Sequence, residues 1–112
     1  MSQITTHILD TSIGRPAAGV AISLEEFSTG SWKKIAEGVT NSDGRISDLL
    51  EKGKFLAHGN YRMIFETGNY FSSQNKKGFY PFVTIEFTIS EDAHYHIPLL
   101  LNPFGYSTYR GS

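Results

Sequence analysis

The sequence predicts an all-β protein, an antiparallel sandwich of seven or eight short strands with one short helix. Three observations predict it. Apolar and polar residues alternate with a period of two over most of the chain, the pattern of strands with one buried face. Clusters of Gly, Pro, Asn, Asp and Ser break that alternation at close intervals, as the turns of a sandwich do. Aromatic residues make up 13% of the chain, charged residues only 19%, and there are 11 glycines, a composition of packed strands and turns rather than of a helical bundle or a disordered tail. At 112 residues the chain has the size of one domain, and residues 1–112 are read as a single unit.

The elements follow in order. Residues 4–10, the run Ile4-Thr5-Thr6-His7-Ile8-Leu9-Asp10, form a first strand, with Gly14-Arg15-Pro16 as the loop that closes it. Over 18–27, Ala18, Val20, Ile22 and Leu24 share one face while Ser23 and Glu25 take the other. Ser28-Thr29-Gly30-Ser31 is a turn, so Trp32–Thr40 returns as the second arm of a hairpin. Asn41-Ser42-Asp43-Gly44 is a dense turn signal, followed by a short strand over 45–49 and a loop over 50–59. Tyr61, Met63 and Phe65 alternate with Arg62, Ile64 and Glu66 to give the next strand, and the polar stretch 68–77 is the place for the one helix. Val83, Ile85, Phe87 and Ile89 mark one face of a strand over 82–89. The run 94–101 sets His94, His96, Pro98 and Leu100 against Tyr95, Ile97, Leu99 and Leu101, so that both histidines point the same way. Asn102-Pro103-Phe104-Gly105 turns the chain into a last strand over 106–110.

Composition also excludes whole classes of function. With no cysteine there is no disulfide scaffold, thiolate nucleophile or Cys-ligated metal. A net charge of -1 provides no positive field for phosphates, and no basic patch stands out, so neither nucleic acid nor an acidic membrane is expected as a partner. No apolar run approaches the roughly 20 residues of a membrane span, and Met1-Ser2-Gln3-Ile4-Thr5-Thr6-His7 lacks the character of a signal peptide, so a cytoplasmic location is expected.

The groups left for chemistry are histidines, arginines, hydroxyls and a few carboxylates. His58 lies in a loop and reads as solvated; His7, among the apolar residues of the first strand, needs a partner. The His94-Tyr95-His96 spacing alone suits two strand histidines facing water with no role, two imidazole bases in one pocket, or two ligands of a metal, but zinc takes three or four ligands and no carboxylate has a place beside the pair. No metal is expected. The turn at Asp43-Gly44 lacks the first and twelfth ligands of a calcium loop, which fall on Val39 and Leu50. No serine has a nucleophile-elbow context. The tail, Gly105-Tyr106-Ser107-Thr108-Tyr109-Arg110-Gly111-Ser112, is unusual in carrying aromatics and a guanidinium where a frayed, bland segment is the norm.

Four ordered motifs carry a resemblance over nearly the whole chain. Thr6-His7-Ile8-Leu9-Asp10-Thr11 leading into Gly14-Arg15-Pro16-Ala17, Asn41-Ser42-Asp43-Gly44-Arg45, His94-Tyr95-His96-Ile97-Pro98-Leu99-Leu100 and Tyr109-Arg110-Gly111-Ser112 resemble the 5-hydroxyisourate hydrolases, the transthyretin-like enzymes of purine breakdown. The terminal Tyr-Arg-Gly-Ser discriminates most, because in this family it separates the enzymes from hormone-carrying transthyretins. The resemblance implies a prealbumin-like sandwich, a homotetramer with sites at the dimer–dimer interface, a small purine-derived substrate and no cofactor. It also implies His7, Arg45 and His96 as the catalytic set, with Tyr109, Arg110, Gly111 and Ser112 binding substrate, and so selects His96 over His94, a choice that periodicity leaves open. Two rival functions remain at this level. A carrier of the transthyretin type would show an apolar channel without a His/Arg cluster, and a structural cell-surface module would show an export signal and linkers.

Overall fold

A computed structural model describes residues 2–112. Among these residues the chain forms nine strands and one helix in two layers. One sheet has the order β2 (Arg15–Pro16), β1 (Ile4–Asp10), β8 (Tyr95–Asn102), β9 (Gly105–Thr108), with β5 (Arg45–Ile46) also paired to β1; the other has the order β4 (Ser31–Val39), β3 (Ala21–Ser28), β6 (Gly59–Phe65), β7 (Val83–Ile89). The core between them is made by the inward positions of the alternating strands. Ile4 and Ile8 of β1, Ile22 and Leu24 of β3, Met63 and Phe65 of β6 and Leu99 of β8 are almost wholly buried. The expected sandwich is therefore the observed one.

Several details differ, each for a local reason. The pairing of β1 with β8 is parallel, from Ile4 opposite Tyr95 to Asp10 opposite Leu101. Long connections separate the two strands in sequence, so no hairpin imposes the antiparallel sense on them. Arg15–Pro16, expected in a loop, returns along the edge of β1 as a two-residue strand, where a proline costs no ladder bond. The second strand starts at Ala21 rather than at 18: Val20 is buried as expected, but Ala18 is exposed and Ala17 is the buried alanine. β5 stops at Ile46 instead of 49, and Leu49 and Leu50 beyond it both turn into the core.

The helix α1 spans Thr67–Ser72, shorter than the stretch 68–77. Asn75 adopts a left-handed φ of 59° and the Lys76 N–H closes onto the Phe71 carbonyl at 3.0 Å, a closure that ends a helix. In the hairpin between β3 and β4, Thr29 and Gly30 both have positive φ, which matches a two-residue turn to the strand twist.

One buried contact was not legible in the alternation. Asp10 occupies an inward position of β1 and is fully buried, yet its carboxylate is satisfied: the Tyr70 hydroxyl donates to Oδ2 at 2.8 Å and the Ser12 N–H to Oδ1 at 3.0 Å. The pair fastens α1 to the first sheet, and burial together with the Asp10 carboxylate holds the Tyr70 phenol above its ordinary range. Tyr70→Phe leaves one buried carboxylate oxygen short of a donor and is expected to lower stability by about 1–3 kcal/mol in urea denaturation. An unchanged midpoint would show that the contact carries no stability.

Candidate functional site

The site is built on the outer face of the β1–β8 sheet. Along β1 the side chains of Ile4, Thr6, Ile8 and Asp10 go inward, so Thr5 and His7 go outward. The parallel register places Thr5 beside His96, and the short antiparallel register of β5 places Arg45 beside His7. Two neighbours along the sheet thus bring one imidazole from each end of the chain and a guanidinium from its middle to one surface.

The turn before β5 fixes Arg45. Asn41 Oδ1 accepts from the N–H groups of Asp43 at 2.9 Å and Arg45 at 3.1 Å, and the Arg45 carbonyl accepts from the Asn41 N–H. Gly44 has φ +72°, and a Cβ there would lie 2.5 Å from the Ile8 carbonyl oxygen. Only glycine lets this turn press against β1, which is what sets Arg45 opposite His7.

The tail is held as well. The Gly111 N–H donates to the His96 carbonyl at 2.8 Å, an isolated bridge beyond the end of β9, and a Cβ on Gly111 would lie 2.5 Å from the His96 ring. The Arg110 guanidinium rests 4.4 Å from the centroid of the Tyr95 ring. The last strand ends at Thr108 instead of 110, and the closing residues are secured by these contacts rather than by a ladder.

A hollow of about 270 Å³ results, bordered by Thr5, Arg45, Ser47, His94, His96 and Ser112. His7 does not border it directly; it stands alongside, half-buried, between Arg45 on one side and Pro98 on the other. Of the expected tail residues, Ser112 borders the hollow and Gly111 pairs with His96, whereas Tyr109 and Arg110 border a second, more apolar hollow with Ile85 and Phe87. Within one chain the tail therefore divides two hollows instead of lining one. His58 is exposed, meets Asp92 at 3.0 Å and borders neither hollow.

Electrostatics favour neutral imidazoles here. Burial first, and then the Arg45 guanidinium, hold His7 below the usual histidine range, with Asp43 working in the opposite direction. His96 is depressed for the same two reasons, in the same order, with His94 and His7 adding to the effect. Two neutral bases beside a permanent cation and an open hollow can take a proton from water and stabilise an oxyanion. Among the described residues no group of three or more His, Asp or Glu side chains gathers in a way that could hold a metal.

Sequence reasoning did not single out Thr5. Its hydroxyl lies 2.7 Å from His94 Nε2 and 2.8 Å from His96 Nδ1, although His94 itself falls one residue before β8 begins. A threonine at an outward position between two apolar-facing residues was the available signal, but the partner could be known only from the β1–β8 register.

Comparison with known proteins finds relatives over nearly the whole chain. Residues 4–111 match the family described as the HIUase/Transthyretin family. A 5-hydroxyisourate hydrolase of Salmonella typhimurium is 47% identical over 110 residues, covering 97% of this chain and 80% of the relative. Among solved structures, the 5-hydroxyisourate hydrolase of Klebsiella pneumoniae superposes with a TM-score of 0.85 at 39% identity, over 97% of this chain and 98% of that one. A sea bream transthyretin in complex with thyroxine superposes with a TM-score of 0.92 at 32% identity, over 98% of this chain and 95% of that one.

Proposed function

The chain belongs to the HIUase/Transthyretin family, and from that premise we propose that it hydrolyses 5-hydroxyisourate to 2-oxo-4-hydroxy-4-carboxy-5-ureidoimidazoline in purine degradation. The family contains both hydrolases and a thyroxine-bound transthyretin, and the latter superposes more closely. Backbone superposition is insensitive to the side chains that do chemistry, so the choice rests on the site. The observation that carries it is the convergence of His96, Arg45 and, beside them, His7 at one hollow, where a carrier of the transthyretin type would show no His/Arg cluster.

In this reaction a ring carbonyl of the substrate is attacked by water and the ring C–N bond opens. One imidazole, His96 or His7, takes the proton of the attacking water, and the other orients the water or returns a proton to the leaving nitrogen. Arg45 holds the negative charge that develops on the carbonyl oxygen, with paired donors suited to a planar, oxygen-rich substrate. Ser112 and the Gly111 backbone bind the substrate edge. No cofactor enters the scheme.

The test is whether purified protein accelerates the disappearance of freshly generated 5-hydroxyisourate above its spontaneous decay; no acceleration would refute the hydrolase. The pH dependence has a definite sign. A general base works when neutral, and both histidines are depressed below 6.5, so kcat/KM should reach its plateau at a pH below that of an ordinary imidazole. Arg45→Gln removes a cation that favours the neutral form, so the acid limb should move toward higher pH as activity falls. A limb that stays in place would show that Arg45 does not act on the base.

The proposal extends to a homotetramer in the cytoplasm. Arg45 is exposed in the single chain, and a second protomer laid over the Arg45 side of the hollow would exclude water from the developing charge. Light scattering should give four times the 12.5 kDa of one chain; a monomer would refute the assembly.

A further inference from the structure

We propose that Thr5 and His94 form a proton relay, by which the proton that His96 takes from the attacking water leaves the hollow through the Thr5 hydroxyl to the His94 ring. It rests on the hydrolytic reading above, with His96 as the base. The geometry that carries it is the bridging hydroxyl. Thr5 Oγ1 lies within hydrogen-bond distance of both His94 Nε2, at 2.7 Å, and His96 Nδ1, at 2.8 Å, and the two rings are 6.3 Å apart at an interplanar angle of 27°.

A hydroxyl has one proton, so it can donate to only one of the two nitrogens and must accept from the other. The tautomers of the two rings are thereby linked. When Thr5 donates to His94 Nε2, it accepts from His96 Nδ1–H, and the lone pair of neutral His96 is on Nε2, the ring nitrogen that has no partner among the described residues. That is the arrangement a base facing the hollow requires.

The transfer balances as follows. The His96 Nε2 lone pair takes a proton from water as the water oxygen bonds to the substrate carbonyl carbon. The His96 Nδ1–H bond breaks and its proton goes to Thr5 Oγ1, while the original Thr5 O–H proton goes to the lone pair of His94 Nε2. His96 ends neutral in its other tautomer, Thr5 ends as a hydroxyl, and the single positive charge is an imidazolium on His94. The reverse transfer delivers a proton from His96 Nε2 to the leaving nitrogen and resets the chain.

The relay has a physical purpose. The charged groups that face His96 are Arg45 from β5, His7 from β1 and His94 ahead of β8, and each disfavours a cation on its ring. Thr5 is buried and His96 half-buried, whereas His94 is exposed to solvent. Moving the charge to His94 takes it from a half-buried ring to an exposed one, where water can stabilise it.

The experiment pairs a spectroscopic and a kinetic measurement on the full chain and on Thr5→Val, Thr5→Ser and His94→Gln. Ring 15N shifts of the histidines, recorded without substrate, should show His96 held in one tautomer. Thr5→Val should mix the His96 tautomers, and Thr5→Ser should restore the single one. In turnover, Thr5→Val and His94→Gln should each lower kcat by about tenfold with KM little changed, within what general acid–base catalysis contributes, and Thr5→Ser should stay near wild type. Unchanged His96 tautomers in Thr5→Val, or an unchanged kcat in both Thr5→Val and His94→Gln, overturns the relay. If Thr5→Val does not fold, the exposed His94→Gln variant decides the kinetic arm. A His96 tautomer fixed by Thr5 in a protein that shows no turnover would refute the hydrolase while leaving the linked rings established.

Discussion

His96→Asn is expected to lower the turnover of 5-hydroxyisourate by about 100-fold or more, the scale on which a general base acts. Asparagine is a demanding replacement, because its amide can still meet Thr5 where Nδ1 does, and the His96 main chain can still accept from Gly111. What it lacks is the second ring nitrogen. Stability should therefore change little while activity collapses, and the acid limb of the pH profile should be lost or be set by His7 alone. A folded His96→Asn protein with wild-type turnover would remove His96 from the proposed mechanism. The same substitution at His7 separates the two roles: a larger loss in kcat for one variant identifies the base, since His7 stands beside the hollow and His96 borders it.

Gly111→Ala is the second large effect, with a different signature. The added methyl would lie 2.5 Å from the His96 Cδ2 atom, 3.2 Å from Cγ and 3.3 Å from Cβ, so either the ring or the tail has to shift. Either movement disturbs the proposed site, by displacing the His96 ring or by withdrawing Ser112 from the hollow. Misplacement on the order of 1 Å costs about 100-fold in rate. The residues around Gly111 are largely exposed, so thermal stability should stay within about 0.5 kcal/mol of wild type. Full activity in Gly111→Ala would show that the seat of the tail against His96 has no bearing on catalysis. A matching loss of stability would make the contact structural instead.

The legibility of this protein varied from element to element. The turn at Asn41–Gly44 could be read because each residue has a local job there: Asn41 caps the turn and Gly44 takes the positive φ. The core faces of β3, β6 and β8 could be read because alternation is a local property of the strand. The length of β5 could not, since Leu49 and Leu50 leave the strand only because a core exists to receive them. The edge pairing of Arg15–Pro16 and the parallel sense of β1 against β8 were equally out of reach, for they depend on where distant strands lie.

The same division runs through the site. From its motifs alone the sequence pointed to the transthyretin-like family and to His7, Arg45 and His96, because those residues recur in a recognisable order. It also determined the two-layer β architecture, which period-two alternation and closely spaced turns leave little freedom to avoid. Tertiary structure alone decided which side chains meet. A strand's periodicity says which face a residue occupies but not which residue stands next to it on the neighbouring strand. Thr5 and His96 are 91 positions apart, and only the register of β1 against β8 puts one hydroxyl between two imidazoles. The buried Asp10 carboxylate is decided in the same way, since an acid on an inward face is tolerable only when folding brings the Tyr70 hydroxyl to it.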